Sequence, residues 1–247
     1  MILMEHPLFM DYGPIPGIAI FAVLMAVSGG FFSYQVIKAT RLVRLGKPDN
    51  RFDNWGARIS EVITGWLGQK KVLKDRVAGG IHVMMFWGFL MLSTDMFDLA
   101  TGNWFSHNLL PEVLNGPWNI MVEFGYFIAF IGCTLALIRR TIFTPDKLKG
   151  KSQIEGNAIL MLIMTITTTA FVVEAGESGV SKTWEPIGYW VAQTIIPSTT
   201  MVVVAYWAHM LAIATFLFLI PVSKHMHLVM VFLNVFFDVM KAMVTMH

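Results

Sequence analysis

Five stretches of the chain are long and apolar enough to cross a bilayer, at about Ile15 to Ile37, Val77 to Ala100, Trp118 to Ile138, Gly156 to Ala175 and Val191 to Ile220. Backbone polar groups find no partner in lipid, so each stretch must close its own hydrogen bonds and is expected to be a helix. The last is longer than a bilayer needs. The expected fold is all-α, an integral membrane bundle of five transmembrane helices forming a single domain over residues 1–247. With 55% apolar and 14% charged residues, the composition excludes an ordinary soluble domain. Met1 to Pro14 carries Glu5 and Asp11 but no basic region or small-residue cleavage site, so the first helix is expected to be retained.

Basic residues orient such a bundle. Ten Lys and Arg lie between Lys38 and Arg76, five between Arg139 and Glu155, and Lys224 and Lys241 follow the last span, while only Lys182 lies on the other side. This places the N-terminus outside and the C-terminus in the cytoplasm, in a multi-pass protein of the cytoplasmic membrane. The net charge of +2 is the remainder of that asymmetry and gives no reason to expect nucleic-acid binding. Cys133 is the only cysteine, so any iron–sulfur cluster must belong to a partner.

Between the spans, the basic segment 38–76 shows helical spacing from Asn54 to Leu73. Its apolar residues Trp55, Ile59, Val62, Ile63, Trp66 and Leu67 recur at intervals of three and four. Such an amphipathic helix suits either the lipid surface or a docking partner. The stretch Thr101 to Pro117 reads as a turn-rich outer loop, with Trp104 and Trp118 as interfacial anchors. Residues 222–247 stay apolar at mixed spacing and are expected to form an amphipathic helix on the cytoplasmic surface.

Ionisable side chains are costly inside a bilayer, which makes its histidines candidates for function. His209 and His227 are eighteen residues apart, about five helical turns or roughly 27 Å along a straight helix, with both imidazoles on one side. Imidazole is a usual axial ligand of haem iron. His82, about five residues into the second span, lies at a depth comparable to His227, so the two can bridge one haem. His225 is about 200° round the helix from His227 and is disfavoured. A second haem at His209 would look to the second span near Leu92, which cannot coordinate. It would be five-coordinate or take Met91 or Met96. His6, His107 and His247 lie at termini or in a loop, where solvated histidine is ordinary. Glu174 reads as an interfacial acid, whereas Glu123, inside the third span, is a candidate acceptor for a quinol proton.

These residues resemble the nitrate reductase gamma-like cytochromes b, and among them the heterodisulfide reductase membrane subunit. The resemblance lies in His209, Pro221, Ser223, Lys224 and His227, in Arg76-Val-Ala-Gly79-Gly-Ile-His82, in Phe86-Trp87-Gly88-Phe89, and in Gly68-Gln69-Lys70. It implies b haems between the second and fifth spans, two or at the minimum one. It also implies electron transfer between a membrane quinone or methanophenazine and a cytoplasmic iron–sulfur subunit like that of heterodisulfide reductase. In nitrate reductase members the second span carries two histidines ten residues apart; His82 matches the first and Leu92 replaces the second. The chain is expected to be an electron-transfer subunit of a quinone oxidoreductase complex, docking its partner through Trp66 and Gln69. The rival reading is a proton or metal-ion transporter that uses the intramembrane histidines and Glu123 as a relay.

Overall fold

The spans form helices where the apolar runs end in capping or helix-breaking residues. The computed structural model describes residues 5–43, 54–70, 72–101, 112–143, 151–176 and 181–223, with 226, 230, 231 and 235. A two-residue hairpin, β1 (Asp11–Tyr12) and β2 (Ile15–Pro16), turns at Gly13, whose φ of 68° suits glycine. It leads into α1 (Gly17–Val43). Then follow α2 (Trp55–Glu61), a π-helical segment (Val62–Leu67), α3 (Arg76–Thr101), α4 (Glu112–Thr141), α5 (Lys151–Gly176), α6 (Pro186–Ile195) and α7 (Thr199–Leu219). Five of these helices, α1, α3, α4, α5 and α7, are long and apolar enough to cross a membrane, as expected.

Three boundaries differ from expectation. The stretch Val191 to Ile220 is two helices, because Ile196 adopts a left-handed φ of 49° ahead of Pro197, which lacks the N–H that would continue the ladder. That break explains why the last run was too long for one crossing. Glu112 to Pro117 is helix rather than loop. Pro117 lies in the second turn of α4, where its missing N–H removes one helical bond. Helical backbone from Asn54 stops at Leu67, short of Leu73, where Gln69 takes a φ of 50°. Trp104, the segments 44–53 and 102–111, and nearly all of 222–247 lie outside the described residues.

The chain divides into two compact units, Met1–Val27 with Met84–Phe216, and Ser28–Val83 with Leu217–His247. In the first, small residues bring α3 and α4 together. A Cβ on Gly88 would stand 2.6 Å from the Ala129 nitrogen, one on Gly125 2.5 Å from Met91 Cβ, and one on Gly132 2.9 Å from Met85. Close backbone approach at small residues is the usual basis of helix association in lipid, where apolar area alone gives little. As numbers rise along α3 they fall along α4, so the pair is antiparallel. The same holds for α5 and α7, with Gly176 against Val202 and Ile166 against His209.

In the second unit, Asp75 caps α3, its Oδ1 accepting from the amides of Val77 (3.2 Å) and Ala78 (3.0 Å). Gly79 packs against the Val72 carbonyl, too close for any Cβ. The Arg76-Val-Ala-Gly79 motif therefore has a local structural role. Gln69 is buried, and its amide donates to the Trp66 carbonyl at 2.6 Å. The phenyl rings of Phe31 and Phe218 meet at 5.0 Å between centroids.

Candidate functional site

His209 sits in the third turn of α7 and is 1% exposed. Its Nδ1 lies 3.0 Å from the Ile166 carbonyl and 3.0 Å from Thr169 Oγ1. A carbonyl only accepts, so Nδ1 carries the proton. Thr169 can accept there because its own hydroxyl hydrogen goes to Thr165 O at 2.6 Å. Neutral imidazole protonated at Nδ1 keeps its lone pair on Nε2. Among the described residues no hydrogen bond falls on Nε2. Ring orientation fixed through one nitrogen while the other stays available is the arrangement of metal-ligating histidine, and it fits a haem iron. No cluster of three or more metal-ligating side chains occurs among the described residues.

Helical phase then orders the neighbouring candidates. On α7, His209 and Phe216 are seven residues apart, about two turns, and share a face. On α3, His82, Phe89 and Met96 recur every seven residues and share one too. Phe89 and Phe216 meet at 5.5 Å. With three reversals between them, α3 and α7 run antiparallel, so stepping from that contact to His209 on α7 corresponds to stepping toward Met96 on α3. Met91 instead has its Cβ on Gly125 of α4. Leu92 is buried beside the same glycine, its amide nitrogen 3.1 Å from where that Cβ would stand. His82 is half-buried on α3. His227, with His225, lies outside the described residues. Its expected phase with His209 required a straight helix, and α7 ends at Leu219. The chain continues as a 3₁₀ turn through Pro221 to an extended Ser223.

The buried and half-buried carboxylates divide into two kinds. Glu123, 2% exposed, accepts the Gly188 amide at 2.6 Å and the Ile187 amide as well. These are the first free N–H groups of α6, so Glu123 caps that helix from α4, where the positive end of its dipole favours an anion. Nearby, Glu185 accepts from Asn119 at 2.5 Å and from the Ser181 amide at 2.7 Å. Asp95 in α3 is different. Its Oδ2 accepts from the Tyr126 hydroxyl of α4 at 2.9 Å, a single side-chain partner that can rotate, and buried Asp98 follows one turn on. Sequence reasoning missed Asp95. The signal was present, since any carboxyl well inside an apolar span qualifies. Thr169 and Tyr126 carried no such signal, because a hydroxyl in a span is unremarkable until its partner is known.

At the Thr199 end of α7, aromatic rings gather against the N-terminal segment. His6 meets Tyr206 at 5.1 Å and Phe9 at 5.9 Å, Tyr12 meets Trp207 at 5.6 Å, and Tyr206 meets Trp207 at 5.2 Å. His6, expected to be solvated, is half-buried, and burial lowers its pKa from 6.5 to about 4.

No protein-family model matches the chain, and no solved structure does. Among curated proteins it is similar to the probable iron-sulfur-binding oxidoreductase FadF of Bacillus subtilis (strain 168). The two are 27% identical over 241 residues, covering 90% of this chain and 33% of FadF. It is also similar to the EtfAB:quinone oxidoreductase of Syntrophomonas wolfei subsp. wolfei, 26% identical over 236 residues, covering 86% of this chain and 32% of that protein. The chain spans about a third of the length of these relatives. Nearly all of this membrane chain thus has counterparts in oxidoreductases, one named for iron–sulfur binding and one for a quinone.

Proposed function

We propose that the chain is the membrane electron-transfer part of an oxidoreductase complex, a b-type cytochrome like those of the nitrate reductase gamma and heterodisulfide reductase group. It exchanges electrons between a membrane quinone or methanophenazine and a cytoplasmic iron–sulfur subunit. The observation that carries the reading is His209: buried among apolar side chains, held at Nδ1 by Ile166 and Thr169, with Nε2 left as a ligand. A b haem held there, and a second held by His82 and His227, would supply one-electron redox centres. If a haem is held at His209, Met96 would be the stronger of the two methionines to help hold it, because the face of α3 that carries Phe89 and Met96 meets α7 at Phe216.

Protons released by a quinol need an acceptor inside the span. Glu123 is occupied by two amides of α6, which leaves it positioning that helix. Asp95, with rotatable Tyr126 beside it, takes the acceptor role more readily. A soluble iron–sulfur partner is supported by the lone cysteine of this chain and by the names of its relatives, an iron-sulfur-binding oxidoreductase and a quinone oxidoreductase. It would meet the basic segment 38–76, on the cytoplasmic side by the distribution of Lys and Arg. The docking residues are revised, however. Gln69 is folded in, whereas Trp55, Ile59 and Ile63 stand about half exposed along one stripe.

The deciding experiment is a dithionite-reduced minus oxidised spectrum of the purified protein with a haem-to-protein ratio. One or two haems per chain are expected, with one lost in His209→Ala. A colourless protein overturns the cytochrome and promotes the transporter.

A further inference from the structure

Two buried donors at the Thr199 end of α7 have no hydrogen-bond partner among the described residues. Tyr206 is 0% exposed, and its hydroxyl makes no hydrogen bond. His6 accepts the Leu8 amide at Nδ1 (3.2 Å), so the imidazole hydrogen belongs on Nε2, and that atom too is buried and unbonded. Their rings touch nearly edge-on, at 82°, and do not bond each other. A buried polar group left unsatisfied is costly, and two on adjacent rings mark a place where something else supplies acceptors.

The surroundings narrow the acceptor. Glu5 and Asp11 lie in the same segment, which disfavours an anion, and a cation offers no lone pair. The walls are flat: Phe9, Tyr12 and Trp207. A neutral, planar, conjugated ring with carbonyl oxygens answers both the donors and the walls. We infer that this is a quinone head-group site, in which His6 Nε2–H and the Tyr206 hydroxyl donate to quinone carbonyls.

The inference rests on the electron-transfer reading and deepens it, because Tyr206 lies one turn from His209 on the same side of α7. The segment over the site is a short strap. It is tied down where the Gly17 amide donates to the Met10 carbonyl at 2.8 Å and where a Cβ on Gly17 would strike the Leu8 carbonyl oxygen at 2.7 Å. Both donors are closed off from solvent beneath it, so a head group reaches them when the strap lifts. An ester carbonyl of a phospholipid shares the acceptor chemistry, and the test separates the two.

The full chain in nanodiscs is titrated with menadione, a naphthoquinone without an isoprenoid tail. Quenching of tryptophan fluorescence reports binding, since Trp207 lines the site. Tyr206→Phe and His6→Ala are each expected to weaken binding about tenfold, the scale of one hydrogen bond. Tyr206→Phe should leave Tm unchanged or raised, because the oxygen it removes has no protein partner. Wild-type binding that both variants retain overturns this site while leaving the quinone reading intact. Absence of binding in wild type overturns both. A lowered Tm in Tyr206→Phe assigns the hydroxyl to structure and overturns the site. Binding in ether-lipid discs but not in ester-lipid discs gives the donors to lipid carbonyls, and also overturns it.

Discussion

Around α7, polar side chains are buried: His209, Glu123 and Thr167 are between 0% and 2% exposed. In α2 and the π-helical segment after it the relation is inverted. Arg58 is buried, while Trp55, Ile59 and Ile63 are 50–55% exposed. Each inversion has a cost, and each is met differently. In the first region the side chains at the candidate site find partners on another helix: Thr169 and Ile166 for His209, Gly188 for Glu123, Tyr126 for Asp95. Such pairing offsets the cost of burying those groups. In the second region the half-exposed apolar stripe suits cover by a lipid surface or a partner. The proposed redox chemistry would use the polarity held inside, and the proposed docking the apolarity held outside.

Breaking the inside region should have the largest effects. His209→Ala is expected to remove one haem per chain, read as a drop in the haem-to-protein ratio, with the helical circular dichroism retained. Full haem content in that variant would remove His209 from the ligand set. Glu123→Leu leaves the Ile187 and Gly188 amides unpaired and should cost about 2–4 kcal/mol in denaturant titration, one lost bond at each amide. Glu123→Gln keeps an acceptor and should recover at least half of it. Thr169→Val removes one of two anchors on Nδ1, and haem affinity should fall about tenfold without loss of fold, the lower end of the range for such supporting residues. Haem titration of the apoprotein checks this.

Smaller effects probe the margins. Because burial holds the His6 pKa near 4, below its ordinary 6.5, folding favours the neutral ring. The stability it contributes is complete above pH 6.5 and is lost as pH falls toward 4. The hydrogen-exchange protection factor of the Gly17 amide, corrected for the intrinsic rate at each pH, should fall across that window, and His6→Phe should flatten the response. Smallest in stability is the outside region. Trp55→Ser, Ile59→Ser and Ile63→Ser together should shift unfolding by less than about 0.5 kcal/mol per site, as exposed substitutions do. They should nonetheless abolish co-purification of the iron–sulfur partner. A large loss of stability would show that this stripe is covered from within and end the contrast.

Apolar length alone determined the all-α architecture and the number of membrane-length helices, because in lipid a segment's own backbone must satisfy itself. Local rules were less complete. Pro197 and Pro221 are plain in the sequence, yet whether a proline bends, ends or is absorbed by a helix depends on what surrounds it: Pro117 stayed inside α4 while the other two ended helices. His209 was legible as an intramembrane histidine, and Asp95 could have been by the same rule. Their partners were not. Thr169 is forty residues from His209 and Tyr126 thirty-one from Asp95. A carboxylate that caps a helix, like Glu123, and one that holds a hydroxyl, like Asp95, look alike until the facing helix is known. The amino-acid sequence decides which groups are too costly to bury alone, and only the packing of distant helices decides what each of them is buried against.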